Sequence, residues 1–417
     1  MAFTFRLKSF YYYLWALISA VYYRFPSNEI HVLGITGTKG KSTTLELVNI
    51  IFEEAGYKTA LFSSVRAKIA DRDENNKTGN SMPGHGVLQQ FLRDAVEAEC
   101  RYAFIEVTSQ GVIQYRHRFI DFDWAMFLNL HKEHIEAHGG FENYRSAKVQ
   151  FFKDVHNSIK KRFWNKGKKK SFFINIDDPE HLHFREALYD YDGVYFFSKD
   201  TISKKEYALH NPLLTEFFKE NIAAAVRYAE VMGIEKDVIK SALSKFHGIP
   251  GRMNVIRDEK FTIVIDYAHT PDSLEKVYAF LKKNMKAKRL IAVLGSAGCG
   301  RDTWKRRVMG EIAARYCDEI ILTDEDPYDE DPLRIMSHIK SGIMNTEFPI
   351  YKIHEIVNRK SAIRKALILA AKGDIVVLTG KGSEQWIHLS HGRRVLWNEE
   401  KVTEEILKTL DGVDKAL

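Results

Sequence analysis

The stretch that most constrains the fold is GITGTKGKST, from Gly34 to Thr43, which carries three glycines and two lysines. A short apolar run with β-branched members, Ile30 to Ile35, leads into it and predicts a strand. From Lys41 the apolar residues recur at helical spacing, and the pattern ends at Gly56, a residue type that commonly follows the last helical turn. A strand, a glycine loop and a helix in this order aim free backbone N–H groups at an anion. The sequence therefore predicts a phosphate-binding loop.

The loop departs from the standard phosphate-binding pattern in its spacing. The usual form places four residues between the first glycine and the Gly-Lys pair, whereas two separate Gly37 from Gly40. A plain basic turn between a strand and a helix is the alternative. We expect Lys41 to reach the outer phosphates and the Ser42 hydroxyl to ligate Mg²⁺. The residues expected to hold the nucleotide are Gly37, Thr38, Lys39, Gly40, Lys41, Ser42 and Thr43.

The composition is that of an ordinary globular protein. The chain has 417 residues, 45% of them hydrophobic and 28% charged, which suits two or three domains. Much of the net charge of +7 comes from Lys160 to Lys170, a run that we interpret as a solvated loop. No helicase-like motif accompanies the phosphate loop, so we expect no nucleic-acid partner. The three cysteines lack metal-ligand spacing and indicate a reduced, cytoplasmic setting.

The N-terminal stretch SFYYYLWALISAVYY is uncharged and lies between Lys8 and Arg24. It is shorter than the roughly 20 residues that span a bilayer. Its tyrosines and tryptophan suit a membrane–water interface, which would place the protein at the inner face of the membrane. Packing against the domain that starts near Ser27 is the alternative, and both remain open.

Strand-like runs alternate with helical patterns along the rest of the chain, which predicts the α/β class. A Gly/Pro-rich link, GIPGRM, lies near Gly248 to Gly251 and separates two such alternations. We predict an aromatic N-terminal helix over residues 1–27 and a P-loop central domain with a parallel sheet over 28–248. A Rossmann-like C-terminal domain is predicted over 249–417.

Side chains that could bind a metal ion or take part in catalysis follow the predicted strands, and open α/β sheets bind ligands at these strand ends. Glu106 follows the apolar run YAFI and is well placed to hold the Mg²⁺ of the phosphate loop. Lys148 lies on a predicted helix beneath the same site, and an exposed surface lysine is the alternative interpretation of this residue. The segment NLHKEHIEAHGG offers four further candidates, His131, Glu133, His134 and His138. Their spacing fits neither standard zinc motif and favours a magnesium site with one histidine.

Several segments occur in the order found in Mur ligases. They are GTKGKST, EVTS, NLHKEHIEAHGGFENYRSAK, NIDDP, ENIAAA, GRM, DYAHTPDSLEK, TDEDP and GKGSE. The chain resembles this family from about Ile30 to Leu410. The pairing of DYAHTPD with a downstream GKG-E is typical of the branch that adds the third peptide residue to a UDP-N-acetylmuramoyl dipeptide, rather than of folylpolyglutamate synthases. The order and spacing of the motifs, rather than any single one, carry the resemblance.

The resemblance implies an ATP-dependent amide ligase that uses ATP and two Mg²⁺ ions and forms an acyl phosphate. Ser42 and Glu106 resemble the ligands of the first Mg²⁺, and His134 resembles a ligand of the second. Lys148 resembles the family's carbamylated lysine, whose added carboxylate helps to set that metal site.

The resemblance also assigns contacts to the remaining motifs. Asn221 is similar to the adenine contact, while Arg252 and Asp266 are similar to phosphate and ribose contacts. His269 and Lys305 are expected near the reacting phosphate, with Lys41 and Lys148 as the other catalytic candidates.

The chain departs from this branch at its substrate motifs. The branch usually begins with a UDP-binding domain of about a hundred residues, which we expect to be missing here and replaced by a partner or a membrane surface. The substrate loop reads Ser81-Met82-Pro83, and the motif after Glu106 reads Thr108-Ser109-Gln110. The amino-acid signature usually read as DNPR is Glu325-Asp326-Pro327-Tyr328, and Glu384 is expected to contact the amino group. The candidate substrate residues are Ser81, Ser109, Glu325, Asp326, Tyr328 and Glu384.

These departures leave three hypotheses. The first is a ligase acting on a UDP-muramoyl peptide and an amino acid, both small-molecule substrates. The second is a related ligase with another carboxylate, such as a polyglutamate or an unusual wall precursor, and the third is a partner-bound non-catalytic relative. Tyr328 lacks the arginine charge that pairs with meso-diaminopimelate, and acidic residues surround it, so we predict a preference for lysine or another cationic amino acid. A solvent-facing acidic turn is the alternative reading.

Overall fold

The phosphate-loop region of the chain is built on an eight-stranded, mostly parallel sheet. The computed structural model describes residues 2–76, 78–84, 86–133, 135–158, 170–189, 191–202, 206–257, 260–300 and 302–414. Two units are distinguished, Met1–His247 and Gly248–Leu417. Most of the lysine-rich run, residues 160–169, lies outside the described residues, as does His134.

The strands of the first unit are β1 (His31–Thr36), β2 (Thr59–Phe62), β3 (Arg66–Ile69), β4 (Arg72–Asn75), β5 (Tyr102–Val107), β6 (Trp124–Phe127), β7 (Ser171–Asn175) and β8 (Val194–Phe197). Their order across the sheet is β4-β3-β2-β5-β1-β6-β7-β8. The β3 strand runs antiparallel to β2 and β4, and the other neighbours are parallel. Because β1 lies between β5 and β6, the residues that follow these three strands meet at one edge of the sheet.

The helices of the first unit are α1 (Ala2–Tyr22), α2 (Lys41–Glu54), α3 (Val87–Glu97), α4 (Ser109–Ile113), α5 (Ile135–His138), α6 (Phe141–Asn157), α7 (His181–Glu186), α8 (Pro212–Phe217), α9 (Lys219–Val231) and α10 (Lys236–Ser244), with a short 3-10 helix at Pro26–Asn28. The central strands are buried along their length, as expected for a sheet covered on both faces. The prediction of a strand, a loop and a helix starting at Lys41 is confirmed.

The second unit carries a six-stranded sheet and a small hairpin. Its strands are β9 (Asn254–Arg257), β10 (Thr262–Asp266), β11 (Leu290–Leu294), β12 (Glu319–Leu322), β13 (Ile353–Glu355), β14 (Ile375–Thr379), β15 (Trp386–His388) and β16 (Arg394–Leu396). The order in the large sheet is β13-β12-β11-β14-β10-β9, and only the β9–β10 pair in it is antiparallel. The β15 and β16 strands pair with each other.

The helices of the second unit are α11 (Pro271–Lys283), α12 (Trp304–Tyr316), α13 (Pro332–Ile343), α14 (Arg359–Leu369) and α15 (Glu399–Asp414), with 3-10 helices at Ile350–Lys352 and Ser390–Gly392. Parallel strands joined through helices make each unit an α/β unit. The predicted fold class, with a P-loop parallel sheet followed by a Rossmann-like sheet, is therefore confirmed.

Candidate active site

The phosphate loop contains two glycines with positive φ, Gly37 and Gly40, and the Lys41 side chain folds back over it. Gly40 is the N-terminal cap of α2 and has φ 82°, a conformation that favours glycine. The Lys41 ammonium donates to the carbonyl oxygens of Gly37 at 3.0 Å and Thr38 at 3.1 Å. The ammonium therefore lies over the loop, where the N-terminal end of α2 favours an anion.

Asn129, which follows β6, fixes the loop from the side. Its side chain accepts from the Lys39 N–H at 2.8 Å and donates to the Lys39 carbonyl at 3.1 Å. Its carbonyl accepts from the Thr38 N–H at 2.9 Å, and the Thr38 hydroxyl lies 3.0 Å from the Tyr144 hydroxyl. Our sequence reasoning missed Asn129 and Tyr144. The position of Asn129 directly behind an apolar strand was a usable signal, whereas Tyr144 resembled any aromatic residue of an amphipathic helix.

A small oxygen cluster lies beside the loop at the end of β5. The Ser42 hydroxyl donates to the Glu106 carboxylate, and the Ser64 N–H donates to the same carboxylate oxygen at 3.2 Å. The Ser42 and Ser64 hydroxyls are 3.0 Å apart, and Glu106 is buried. A buried carboxylate with two hydroxyls is a donor set that fits a hard cation such as Mg²⁺. Sequence reasoning identified Ser42 and Glu106 but missed Ser64.

Lys148 is buried beneath the loop. Its side chain extends from α6, lies 4.9 Å from the Tyr144 ring centroid and donates to the Gly37 carbonyl at 2.8 Å. Burial, and then the positive charge of Lys41, lower the pKa of Lys148 well below its usual value. A lysine held as a neutral amine carries a lone pair and is a nucleophile. The alternative of an exposed surface lysine does not describe this residue, which is 2% exposed.

The histidine-rich segment contributes contacts on the same side of the loop. Glu133 is buried and lies 3.1 Å from the Lys39 ammonium, and the His131 N–H donates to the Thr38 hydroxyl at 3.0 Å. His138 Nε2 lies 3.1 Å from the hydroxyl of Ser109 at the start of α4. His134, the predicted ligand of the second Mg²⁺, lies outside the described residues. Within the described part of the chain, no three His, Cys, Asp or Glu residues gather as a metal-binding group.

Asn221 also contacts the loop. Its amide donates to the Gly40 carbonyl at 3.1 Å and to the Thr44 hydroxyl at 3.0 Å, so it ties α9 to the start of α2. The predicted adenine contact stays a prediction. Ser81 and Met82 belong to a loop in which the Met82 N–H donates to Asn80 at 3.0 Å and the Met82 carbonyl accepts from Arg116.

In the second unit, several residues predicted to contact the nucleotide lie around the turn that follows β10. The two Asp266 carboxylate oxygens accept from the Met253 N–H at 2.7 Å and the Ala268 N–H at 2.8 Å. The Arg252 guanidinium lies 4.2 Å from the Tyr267 ring centroid, and His269 Nδ1 lies 2.7 Å from the Tyr267 carbonyl. Asp266 therefore fixes the two turns that present Arg252 and His269. Lys305 is a buried residue of α12.

Lys381 pairs with two of the acidic residues of this unit, Asp326 and Glu384. Its ammonium donates to Asp326 at 2.9 Å and to Glu384 at 2.7 Å, and the Tyr267 hydroxyl donates to Glu384 at 2.8 Å. Burial opposes ionisation of Glu384, but the Lys381 charge and hydrogen bonds outweigh it and hold the Glu384 pKa below its usual value. Glu384 is thus kept as a carboxylate. Sequence reasoning missed the role of Lys381.

The acidic residues around Tyr328 differ in exposure: Glu325 and Asp326 are buried, whereas Asp329 and Asp331 face solvent. Glu330 pairs with buried Arg306 at 2.6 Å, which lowers its pKa to about 2, and Asp331 caps α13. Burial raises the pKa of Glu325 to about 7 and that of Asp324 to about 6. Arg306 therefore balances the charge of Glu330, and protonation near neutral pH reduces the charge of Glu325 and Asp324. The Tyr328 ring stacks on His388, with centroids 5.1 Å apart.

The α1 helix both packs and exposes aromatic surface. Tyr13 makes edge contacts with Tyr115 and Phe119, and Ser9 donates to the Tyr115 hydroxyl at 3.1 Å. Its exposed apolar residues are Phe10, Tyr11, Tyr13, Leu14, Trp15, Ile18, Val21 and Tyr22. Over the described residues, no helix has the length and apolar character needed to cross a bilayer.

Comparison with known proteins supplies the family. Residues 35–229 match the Mur ligase middle domain, and residues 251–382 match the Mur ligase glutamate ligase domain. The chain belongs to the Mur ligase family. A UDP-N-acetylmuramoyl-L-alanyl-D-glutamate–2,6-diaminopimelate ligase from Syntrophomonas wolfei is 34% identical, over 94% of this chain and 81% of that protein. A UDP-N-acetylmuramyl-tripeptide synthetase from Borreliella burgdorferi is 33% identical, over 95% and 80%.

Solved structures agree with this assignment. A structure of a UDP-N-acetylmuramoyl-L-alanyl-D-glutamate–2,6-diaminopimelate ligase shares 28% identity with a TM-score of 0.58, covering 92% of this chain and 79% of that one. Folylpolyglutamate synthase from Mycobacterium tuberculosis has a TM-score of 0.70 at 14% identity, with coverage of 88% and 92%, which shows a shared fold. Mur ligases are ATP-dependent peptide ligases, so the predicted enzyme class is confirmed: this Mur ligase is an ATP-dependent acid–amino-acid ligase of peptidoglycan synthesis.

Proposed function

We propose that this Mur ligase joins the terminal carboxylate of a UDP-N-acetylmuramoyl peptide to an amino acid, and that the phosphate-loop cluster of the first unit activates the carboxylate. The observation that carries the proposal is the convergence of Lys41 and Lys148 on the Gly37 carbonyl, beside the Ser42–Glu106 pair. A lysine cation and a hard-metal donor set at the N-terminus of a helix are groups that phosphoryl transfer requires.

The reaction proceeds in two steps. A carboxylate oxygen attacks the γ-phosphorus of ATP, a P–O bond forms, the bond to the bridging oxygen breaks, and ADP leaves. The amine nitrogen of the amino acid then attacks the acyl carbon, loses a proton, and expels inorganic phosphate. Both reactants of the first step are anions, so Lys41 holds the γ-phosphate and reduces their repulsion.

The ligands of the first Mg²⁺ follow from the same cluster, and those of the second follow from the family resemblance. We propose that Ser42 and Glu106 hold one Mg²⁺, and that His134 and modified Lys148 hold a second. Mg²⁺ supplies charge neutralisation on the phosphate oxygens. Ser64 supports Glu106 through its N–H, which orients the carboxylate toward the Ser42 hydroxyl.

We propose that Lys148 is carbamylated. The neutral amine attacks the carbon of CO₂, an N–C bond forms and one proton leaves, giving a carbamate anion. The carbamate places a negative charge beside the Lys41 ammonium, which suits a buried position close to that lysine. The carbamate also provides the oxygen donors that a Mg²⁺ prefers.

We propose that the protein works in the cytoplasm with α1 resting on the inner membrane surface. Phe10, Leu14, Ile18 and Val21 are exposed at spacings of three and four residues, so they form one stripe along α1. Lys8 is exposed at the start of that stripe and suits an anionic lipid surface. The tyrosines and tryptophan of the helix have the amphipathic rings typical of the headgroup region.

The proposed function is tested by phosphate release. The full chain is incubated with ATP, Mg²⁺ and UDP-N-acetylmuramoyl-L-alanyl-D-glutamate, with and without candidate amino acids. We expect phosphate release that depends on both the carboxylate and the amine. ATP binding without such turnover, for this carboxylate and for polyglutamates, would support the non-catalytic hypothesis instead.

A further inference from the structure

A groove runs between α1 and the loop that carries Ser81 and Met82. It encloses about 490 Å³, including its solvent-open mouth. Tyr12, Trp15 and Ser19 of α1 line one side, and Gln89, Arg116 and Arg118 line the other. Nothing in the ligase chemistry described above uses these side chains, and α1 lies outside the stretches that match the two Mur ligase domains.

Two buried polar atoms among the groove residues have no hydrogen-bond partner in the described part of the chain. Gln89 is 4% exposed, its amide nitrogen donates to the Phe119 carbonyl, and its Oε1 accepts no hydrogen bond. Arg118 pairs with Asp154 at 3.1 Å through Nη2, while its Nε has no acceptor. A buried polar group without a partner is costly, so an acceptor and a donor here indicate a ligand that supplies both.

The other side chains that line the groove indicate which chemical groups the ligand carries. Trp15 and Tyr12 offer aromatic surface for the apolar face of a sugar ring. Arg116 and Arg118 place two guanidinium groups in the same groove, and guanidinium groups are well suited to bind phosphate oxygens. A sugar phosphate has the hydroxyls, the acceptors and the charge that this lining matches.

Hydrogen bonds along the segment from Ser63 to Met82, which includes β3 and β4, connect the groove to the phosphate-loop cluster. Ser64 donates to Glu106, and the adjacent Ser63 carbonyl accepts from the Asn76 amide at 2.7 Å. The Asn76 amide also donates to the Asn80 carbonyl at 3.0 Å, two residues before Met82, whose carbonyl accepts from Arg116. A ligand in the groove therefore contacts the loop that leads to the reaction centre.

We propose that this groove binds the sugar-phosphate end of the carboxylate substrate, with α1 forming one wall of the site. The inference rests on the proposed function, because the substrate must carry a sugar phosphate distant from its reacting carboxylate. The sugar phosphate is attached either to a nucleotide or to a membrane lipid, and the exposed stripe of α1 next to the groove is compatible with both.

Isothermal titration calorimetry without ATP tests the inference. The probes are UDP-N-acetylmuramoyl-L-alanyl-D-glutamate and a polyprenyl-diphosphate-linked muramoyl dipeptide in detergent micelles. We expect Trp15→Ala, Arg118→Gln and the near-isosteric Gln89→Met each to weaken binding of the accepted probe by at least tenfold. Tyr189→Ala, which changes an exposed aromatic residue of the first unit that does not line the groove, is the matched control and leaves binding unchanged.

The outcomes separate this inference from the proposed function. If the wild type and all three groove variants bind the probe equally and amine-dependent phosphate release is intact, the groove is not the sugar-phosphate site. The ligase assignment is unaffected by that outcome. Absence of amine-dependent turnover in the wild type overturns the proposed function instead. Thermal melting and ATP binding of each variant confirm that a weakened titration reflects the groove rather than unfolding, and Gln89→Met keeps the test valid if Arg118→Gln unfolds.

Discussion

The ammonium group of Lys41 and the amine of Lys148 donate to the same oxygen, the carbonyl of Gly37, at 3.0 Å and 2.8 Å. Two lysines on one acceptor do not both remain charged at low cost when one of them is buried. Burial, and then the positive charge of Lys41, lower the pKa of Lys148 and so favour its neutral amine. The pair thus places a cation for phosphate at the loop and an amine of α6 directly beneath it.

The first prediction concerns Lys41. Lys41→Ala removes the charge that stabilises the transferring phosphoryl group, and we expect turnover to fall by roughly 10³-fold or more. The measurement is ADP formation under saturating substrates, with folding checked by thermal melting. Lys132→Ala removes an exposed lysine three residues after Asn129 and is the control that retains activity. Near-normal turnover of Lys41→Ala contradicts the assignment.

The second prediction concerns carbamylation. We expect Lys148→Ala to be largely inactive and to regain part of its activity with acetate or propionate, which place a carboxylate in the vacated space. Wild-type activity is expected to fall after removal of CO₂ and to return with bicarbonate. Mass spectrometry of a rapidly trapped sample, looking for the added carboxylate mass on the Lys148 peptide, is an independent measurement. Full activity of Lys148→Ala in CO₂-free buffer excludes the modification as a catalytic requirement.

The third prediction follows from the lowered pKa of Lys148. In CO₂-free buffer the unfolded chain binds a proton at this lysine up to about pH 10.4, whereas the folded chain releases it at lower pH. The unfolded state therefore holds more protons between the two pKa values, and wild-type stability rises with pH there by about 1.4 kcal/mol per unit for one proton. Lys148→Met lacks this contribution. We expect Lys148→Met to be the more stable protein at the acid end of that window, and its advantage to shrink toward pH 10, as measured by urea unfolding.

The sequence predicted the elements whose pattern is local. The segment from β1 through the glycine loop into α2 is predictable from the sequence, because a buried strand, positive-φ glycines and an amphipathic helix each have a recognisable short-range residue pattern. The β3–β4 hairpin left none, because Arg72–Asn75 is an exposed, polar edge strand whose alternation carries no apolar face.

The candidate site was predictable only in part, because its supporting contacts are tertiary. Ser42 and Glu106 follow from motif and strand-end position, yet Asn129 fixes the loop from 90 residues away along the chain. The burial of Lys148 depends on the packing of α6 beneath the loop, which composition does not reveal. The sequence also did not reveal the partners of the acidic residues near Tyr328, such as Arg306 and Lys381, because these partners lie on other elements.

The fourth prediction concerns the membrane. We expect the full chain to float with vesicles that contain anionic phospholipid and a chain starting at Ser27 to remain at the bottom of the gradient. A milder pair of variants tests the same surface: Leu14→Asp with Ile18→Asp disrupts the exposed stripe, whereas Tyr351→Asp alters a residue of the second unit that is 79% exposed. Equal flotation of the full chain and the shortened chain leaves α1 as a packing element only.

The last prediction concerns the amine. An arginine in place of Tyr328 would pair through two hydrogen bonds with the distal carboxylate of meso-diaminopimelate, and a neutral phenol with one donor does not supply that pair. Glu325 and Asp324 retain part of their negative charge near neutral pH, because their pKa values of about 7 and about 6 lie close to it. That charge favours a second ammonium over a second carboxylate, so we predict higher kcat/KM for L-lysine or L-ornithine than for meso-diaminopimelate. The Syntrophomonas wolfei relative is named as a 2,6-diaminopimelate ligase, so the measurement also tests whether the two proteins differ in their amine substrate. Tyr328→Arg is expected to shift the ratio toward meso-diaminopimelate by about tenfold or more, equivalent to about 1.4 kcal/mol, while Tyr351→Arg, on an exposed part of the same unit, leaves it unchanged. A wild-type preference for meso-diaminopimelate, unaltered by Tyr328→Arg, shows that the amino-acid pocket is built from other residues.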